Sequence, residues 1–193
     1  MKFLLVVFLS FYFNCCLSET LYSFAASPKH PYGLPNTNAP EQIRDFEQLV
    51  GKHKCLSQSR KADQKWASPI NMTWEFKYIM NGMAVQDLTL KEDGRHSGSI
   101  RLYDKEKHQW QVHYFSSVNS SKSKNLPMWT GGKKEGKLVF YRDQKSPSGQ
   151  AGFFRLSFFN ITLEGFKWVG EWVNKTGGNS YPTWKIGCKK LSS

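Results

Sequence analysis

From Met72 to Met80 the chain alternates between apolar and polar positions. Met72, Trp74, Phe76, Tyr78 and Met80 fall on one parity, and Thr73, Glu75 and Lys77 on the other. A period of two is the pattern of a strand with one buried face. Asn81-Gly82 follows, supplying the two positive-φ residues of a type I′ turn, so the run from Met83 to Lys91 is expected to return antiparallel beside the first. A two-residue loop sets Met80 opposite Met83, Tyr78 opposite Val85, Phe76 opposite Asp87 and Trp74 opposite Thr89. The same count across Asp93-Gly94 sets Thr89 opposite Gly98, Asp87 opposite Ile100 and Val85 opposite Leu102. Asp87 is thereby expected on an apolar face, among Phe76, Ile100 and Trp74.

The rest of the chain reads in the same way. Strands are expected at Lys52–Gln58, Arg95–Tyr103, Gln109–Ser117, Leu126–Gly131, Lys137–Arg142, Ala151–Asn160, Gly165–Val173 and Tyr181–Lys190, which with the hairpin makes about ten. Turn signals separate them: Asp104-Lys105-Glu106, Gly131-Gly132, Ser146-Pro147-Ser148-Gly149 and Gly177-Gly178-Asn179. Short turns between successive strands describe an up-and-down meander. Before it, Asn38 is expected to cap a short helix with Pro40 and Glu41 in its first turn, Ile43, Phe46, Leu49 and Val50 as an apolar stripe, and Gly51 as its end. Residues 19–38, with Pro28, Pro31 and Pro35, read as an extended, poorly ordered lead-in. Alternation groups Trp110, Val112 and Tyr114 on one face with His113 opposite, then Phe166, Trp168, Gly170 and Trp172, then Trp184, Ile186 and Cys188; it puts Glu171 outside. Phe153-Phe154 and Phe158-Phe159 are apolar on both faces, which fits a helix packed outside or a contact between copies.

Residues 1–18 have one early lysine, an apolar run from Phe3 to Phe13 and small residues before Glu19, the layout of a secretory signal peptide. The run is short for a membrane span, which needs about 20 residues. Cys15 and Cys16 leave with the leader, so Cys55 and Cys188 are expected to pair in an oxidising compartment. That bond joins the first strand to the last, as a closed barrel requires. The fold class expected is therefore all-β: a closed antiparallel barrel of about ten strands with a short N-terminal helix, occupying residues 39–193. Sequons at Asn71, Asn119, Asn160 and Asn174 agree with secretion and glycosylation. The net charge is +12. Its lysines are spread along the chain without a long run, as on a solvated polar face, while acidic glycans are the macromolecular partner such a balance would suit. No nucleic-acid-binding module and no later apolar span is present.

Leu-Val-Gly-Lys at Leu49–Lys52, Trp-Glu-Phe-Lys-Tyr-Ile-Met-Asn-Gly-Met-Ala-Val-Gln-Asp at Trp74–Asp87, His-Ser-Gly-Ser-Ile-Arg-Leu-Tyr-Asp at His96–Asp104, and the tryptophans between Phe166 and Trp184 resemble a calycin-like (lipocalin-like) β-barrel family of unknown function, with mostly bacterial members. The resemblance covers about Phe46–Leu191. It implies a barrel that holds a small apolar ligand in its interior. His53 stands where related barrels carry the tryptophan of a Gly-x-Trp motif, and the glycine-rich haem-barrel motif is absent, so no haem ligand and no other cofactor is carried over.

No His-Glu-x-x-His, Gly-x-Ser-x-Gly or Cys-x-x-Cys motif occurs, and Thr130–Lys134 lacks phosphate-loop spacing. Barrel closure could bring His53 and His96 into one cavity, but without a third ligand they make no metal site. Asp87 is the sharpest candidate. A carboxylate on an apolar face is either paired or neutral, and in either state it can orient a ligand's polar group or act as a base. The aromatic residues Trp74, Phe76, Tyr78, Trp110, Tyr114, Trp168 and Trp172 either line a ligand cavity with Asp87 or fill the core. Three functions follow: a secreted carrier of a small hydrophobic or amphipathic molecule; an isomerase or hydrolase of such a molecule using Asp87 and His96; or a basic glycan-binding protein with a filled barrel.

Overall fold

The computed structural model describes residues 21–118 and 126–192, so the leader at 1–18 and the Asn119 sequon lie outside the described residues. Ten strands follow one short helix: β1 (Gly51–Ser59), β2 (Ile70–Ile79), β3 (Ala84–Lys91), β4 (Ser97–Asp104), β5 (Gln109–Ser116), β6 (Met128–Lys134), β7 (Lys137–Asp143), β8 (Gly152–Phe159), β9 (Gly165–Asn174) and β10 (Ser180–Lys190). Each pairs antiparallel with its neighbour in sequence, and β10 returns to β1, closing a barrel. Closure removes every free sheet edge. Cys55 lies directly opposite Cys188 across the β1–β10 seam, and the two are joined by a disulfide.

The β2–β3 register agrees with the sequence: Tyr78 opposes Val85, Phe76 opposes Asp87 and Trp74 opposes Thr89. The turn itself is wider. Met80, Asn81 and Gly82 all take positive φ, and Met80 and Met83 leave the strands for solvent. The cause is the lead-in, which is a series of turns docked on this hairpin rather than an extended strap. Phe24 N–H donates to Asn81 Oδ1, Asn36 Nδ2 donates to Asn81 O, and Tyr78 N–H donates to Tyr32 O. A Cβ at Gly82 would sit 2.4 Å from Leu34 O, so only glycine lets the two segments meet.

The β3–β4 register differs from the sequence expectation by one residue. Asp87 opposes Ser99, Val85 opposes Arg101 and Thr89 opposes Ser97. Gly94, at φ +74, does not form a two-residue turn with Asp93; it closes a hydrogen-bonded turn onto Lys91 O, the form in which a left-handed glycine ends a three-residue loop. The extra residue turns Ser99 and Arg101 inward and sends Ile100 and Leu102 out. A similar correction applies to β6, which runs through Gly131-Gly132 to Lys134; the reversal falls at Glu135-Gly136, both at positive φ.

The helix, Glu41–Leu49, is a 3-10 helix with Pro40 at its N-cap and no side-chain cap, so Asn38 does not play the role expected of it. Ile43, Phe46 and Leu49 are its buried residues, spaced by three, which suits a helix of three residues per turn. It plugs the barrel end at which β1 begins. Phe46 enters the lumen and meets the rings of Trp110, Phe140 and Phe158, while Trp110 Nε1 donates to Asp45 Oδ2.

Because the disulfide ties residues 133 apart in sequence, replacing both Cys55 and Cys188 by Ser should lower unfolding free energy by about 2–5 kcal/mol. Urea denaturation of the variant checks this, and an unchanged midpoint would mean that the seam holds without the bond.

Candidate functional site

Inward-facing residues divide the lumen into two levels. Toward the helix, Phe46, Phe76, Phe140, Phe158 and Phe166 pack ring against ring with Trp74 and Trp110. Immediately above lies a buried ion pair. Arg101 Nη1 is 2.8 Å from Asp87 Oδ2, and Ser99 Oγ donates to the same carboxylate at 2.7 Å. Both charged side chains are 4% exposed. The guanidinium rests over the rings of Phe46, Phe76 and Phe158, at 5.0, 5.3 and 5.8 Å, so the rings offset part of its lost solvation.

Beyond this pair, toward the far rim, is an enclosed space of about 50 Å³. Trp74, Asp87, Tyr114, Trp168, Trp184 and Ile186 are among its walls. Trp74 and Arg101 both line it, and Trp74 Nε1 and Arg101 Nε are buried without a protein partner. By contrast, Trp184 Nε1 is taken by Ser57 Oγ, Trp129 Nε1 by Phe154 O, and Thr89 Oγ1 by Ser97. Lys91 lies against one of these walls, with Nζ 4.4 Å from the centre of the Trp184 ring, and burial pulls its ammonium below the usual lysine range. The unpaired polar atoms of this space are donors. Its chemistry calls for an acceptor.

The expected site residues are thus sorted. Trp74, Asp87, Tyr114 and Trp168 meet around the space. Phe76 and Trp110 belong to the packed level below, and Tyr78 is buried beside the docked lead-in with its hydroxyl unpaired, its phenol pushed up by burial. Trp172 lies near the opposite rim, donating to Gln144 O. Glu171 points outward as expected yet is buried, because Arg155 covers it and donates to it at 2.9 Å. Arg101, Ser99, Trp184 and Lys91 were not among the expected residues; for the first two the signal was Gly94, which fits a three-residue loop as well as a two-residue one.

His53 and His96 do not share a cavity. His96 sits exposed at the β3–β4 turn, where its Nδ1 accepts from Lys91 N–H, whereas His53 is fully enclosed near the helix end. The carbonyl of Trp74 can only accept, so the His53 proton is on Nδ1, 3.2 Å away. Nε2 faces the rings of Phe76 and Phe166 without a partner. Burial lowers the imidazole to about 4. As for proton transfer, the bonded partners of Asp87 are Arg101 and Ser99, neither of which exchanges protons near neutral pH. The pair is built to hold a guanidinium in place.

No protein-family model matches the chain. No curated protein matches it. Among solved structures it is similar to an S-type phycobiliprotein lyase from Guillardia theta, with 12% identity over 77% of this chain and 91% of that one and a TM-score of 0.45. A likeness of that extent bears on neither mechanism nor ligand.

Two outcomes follow from the geometry. Asp87→Asn leaves Arg101 buried without its counter-charge and should cost about 3–5 kcal/mol, whereas Asp87→Leu with Arg101→Met should recover much of it; denaturant midpoints of the single and double variants test this. His53 has a folded pKa below its unfolded value of 6.5, so the unfolded state binds more protons between pH 6.5 and about 4. Stability is therefore full above 6.5 and should fall as pH drops toward 4, by up to roughly 1.4 kcal/mol per pH unit. In His53→Phe that acid-side slope should flatten; an unchanged slope would mean that His53 is not its source.

Proposed function

We propose that the barrel binds a small amphipathic molecule end-on, with a carbonyl or carboxylate against Arg101 Nε and Trp74 Nε1 and an apolar remainder running between Tyr114 and Trp184 to the rim. The observation that carries this reading is the pair of buried donors without protein partners on two residues that line this space. Such donors lose the free energy of a hydrogen bond unless a ligand or water meets them. At about 50 Å³ the space admits a head group, not a whole ligand of ordinary size. Lys91, against Trp184, adds a positive charge nearby and favours an acid over an alcohol. Membership of the calycin-like barrels, and Asp87 as the residue that orients Arg101, belong to the same proposal.

Secretion and glycosylation are further parts of it. The Cys55–Cys188 bond supports an oxidising compartment, and Asn71 and Asn160 are exposed. Among the described residues no helix is long and apolar enough to cross a membrane. An expression test in eukaryotic cells should recover the protein from the medium, lighter after enzymatic removal of N-glycans.

Binding is tested with a dansyl-labelled medium-chain fatty acid, displaced by the unlabelled acid and by the matched hydrocarbon. The acid should displace it and the hydrocarbon should not. Trp74→Phe keeps the ring surface and removes the N–H, so affinity should fall about 5–10-fold with little change in thermal midpoint. Equal displacement by acid and hydrocarbon, or unaltered affinity in Trp74→Phe, would refute the proposed contact.

A further inference from the structure

The outer face of β1, β10 and β9 carries an independent feature. Strand alternation places Lys52, Lys54, Lys185, Lys189 and Lys167 on the outside there, all exposed, and Arg60 follows at the end of β1. None of them takes part in an ion pair among the described residues. Lys54 is directly opposite Lys189. Like charges facing each other across an antiparallel pair destabilise it, and Glu164, which lines the same groove, makes no ion pair with either lysine. Further along the same face Arg60 lies 4.9 Å from the ring centres of both Trp66 and Tyr181, and Lys185 lies 4.4 Å from that of Trp66. Two cations are thus held against one indole.

The lysines border a depression rather than a flat surface. Gly187, which lacks a side chain on the outer face, leaves a groove of about 640 Å³ whose walls include Lys54, Leu56, Lys167 and Lys189 together with Glu164 and the sequon residues Asn71 and Asn160. Its apolar floor is recessed between charged walls. A bilayer cannot reach such a floor, but a linear polyanion can lie along it with its sugar faces on Leu56 and Gly187 and its acid groups on the lysines. We propose that this face binds an acidic polysaccharide of the sulfated glycosaminoglycan class, with Lys54, Lys167 and Lys189 holding one stretch and Arg60 and Lys185 the next. This site is separate from the interior one and does not rest on it.

The experiment uses full-length protein secreted by eukaryotic cells, compared before and after enzymatic removal of N-glycans because Asn71 and Asn160 border the groove, and heparin oligosaccharides as the probe. Lys189→Glu should raise the thermal midpoint slightly, because it relieves the facing lysines, while weakening heparin binding by roughly tenfold. A stability gain joined to a binding loss is what a merely structural lysine would not give. Lys105→Glu, at the β4–β5 turn on the far side of the barrel, alters net charge equally and should change heparin affinity far less. The proposal is overturned if both variants lose affinity alike, since net charge alone would then be acting. It is also overturned if vesicles containing phosphatidylserine capture the protein and heparin does not. Fatty-acid displacement should be unaffected by Lys189→Glu, so the interior and exterior readings fail separately.

Discussion

The Asp87–Arg101 pair is the interaction on which the interior depends. A charge in an aromatic lumen is tolerated only with its counter-charge and hydrogen bonds in place, and Ser99 and the three phenylalanine rings supply that set except for a partner to Arg101 Nε. The pair also fixes register. Asp87 sits directly opposite Ser99, and a slip of one residue between β3 and β4 would point Arg101 to solvent and leave the carboxylate against Ile100. Buried pairs are seldom net stabilisers compared with apolar residues of the same volume. Here the pair divides the lumen, with packed rings and the helix on one side and a small donor-lined space on the other.

Closure and plugging follow from the chain's two ends. The 3-10 helix closes one mouth by inserting Phe46 beneath Arg101, and β10 closes the wall by pairing with β1 through the disulfide. The lead-in reinforces the same region, docking on the hairpin turn through Asn81 and leaving Gly82 no room for a side chain. A ten-stranded barrel could enclose a large ligand. This one does not, because inward tryptophans and phenylalanines occupy most of its width, and what remains is a head-group-sized space at one level.

Much of the fold was legible in the sequence because alternation, turn residues and two cysteines each point to the same meander. Strand order, the β2–β3 register and the Cys55–Cys188 bond follow from local pattern. Register across Asp93-Gly94 did not, since the same dipeptide serves two- and three-residue loops and the choice moves every side chain of β4 to the other face. That single ambiguity hid Ser99 and Arg101 and put Ile100 in their place. Which aromatics line a space and which only fill the barrel depends on helix insertion, and alternation says nothing about that. Glu171 shows a further limit: an outward residue can still be buried when a long neighbour such as Arg155 lies over it.

The most direct measurement is native mass spectrometry of the protein secreted from eukaryotic cells, before and after organic extraction. The donor-lined lumen predicts a small acid or carbonyl compound carried in one-to-one amount, removed by extraction and regained on exposure to a mixture of lipids. A protein that stays at its bare mass after that exposure would contradict a binding barrel and leave the aromatic interior as packing alone.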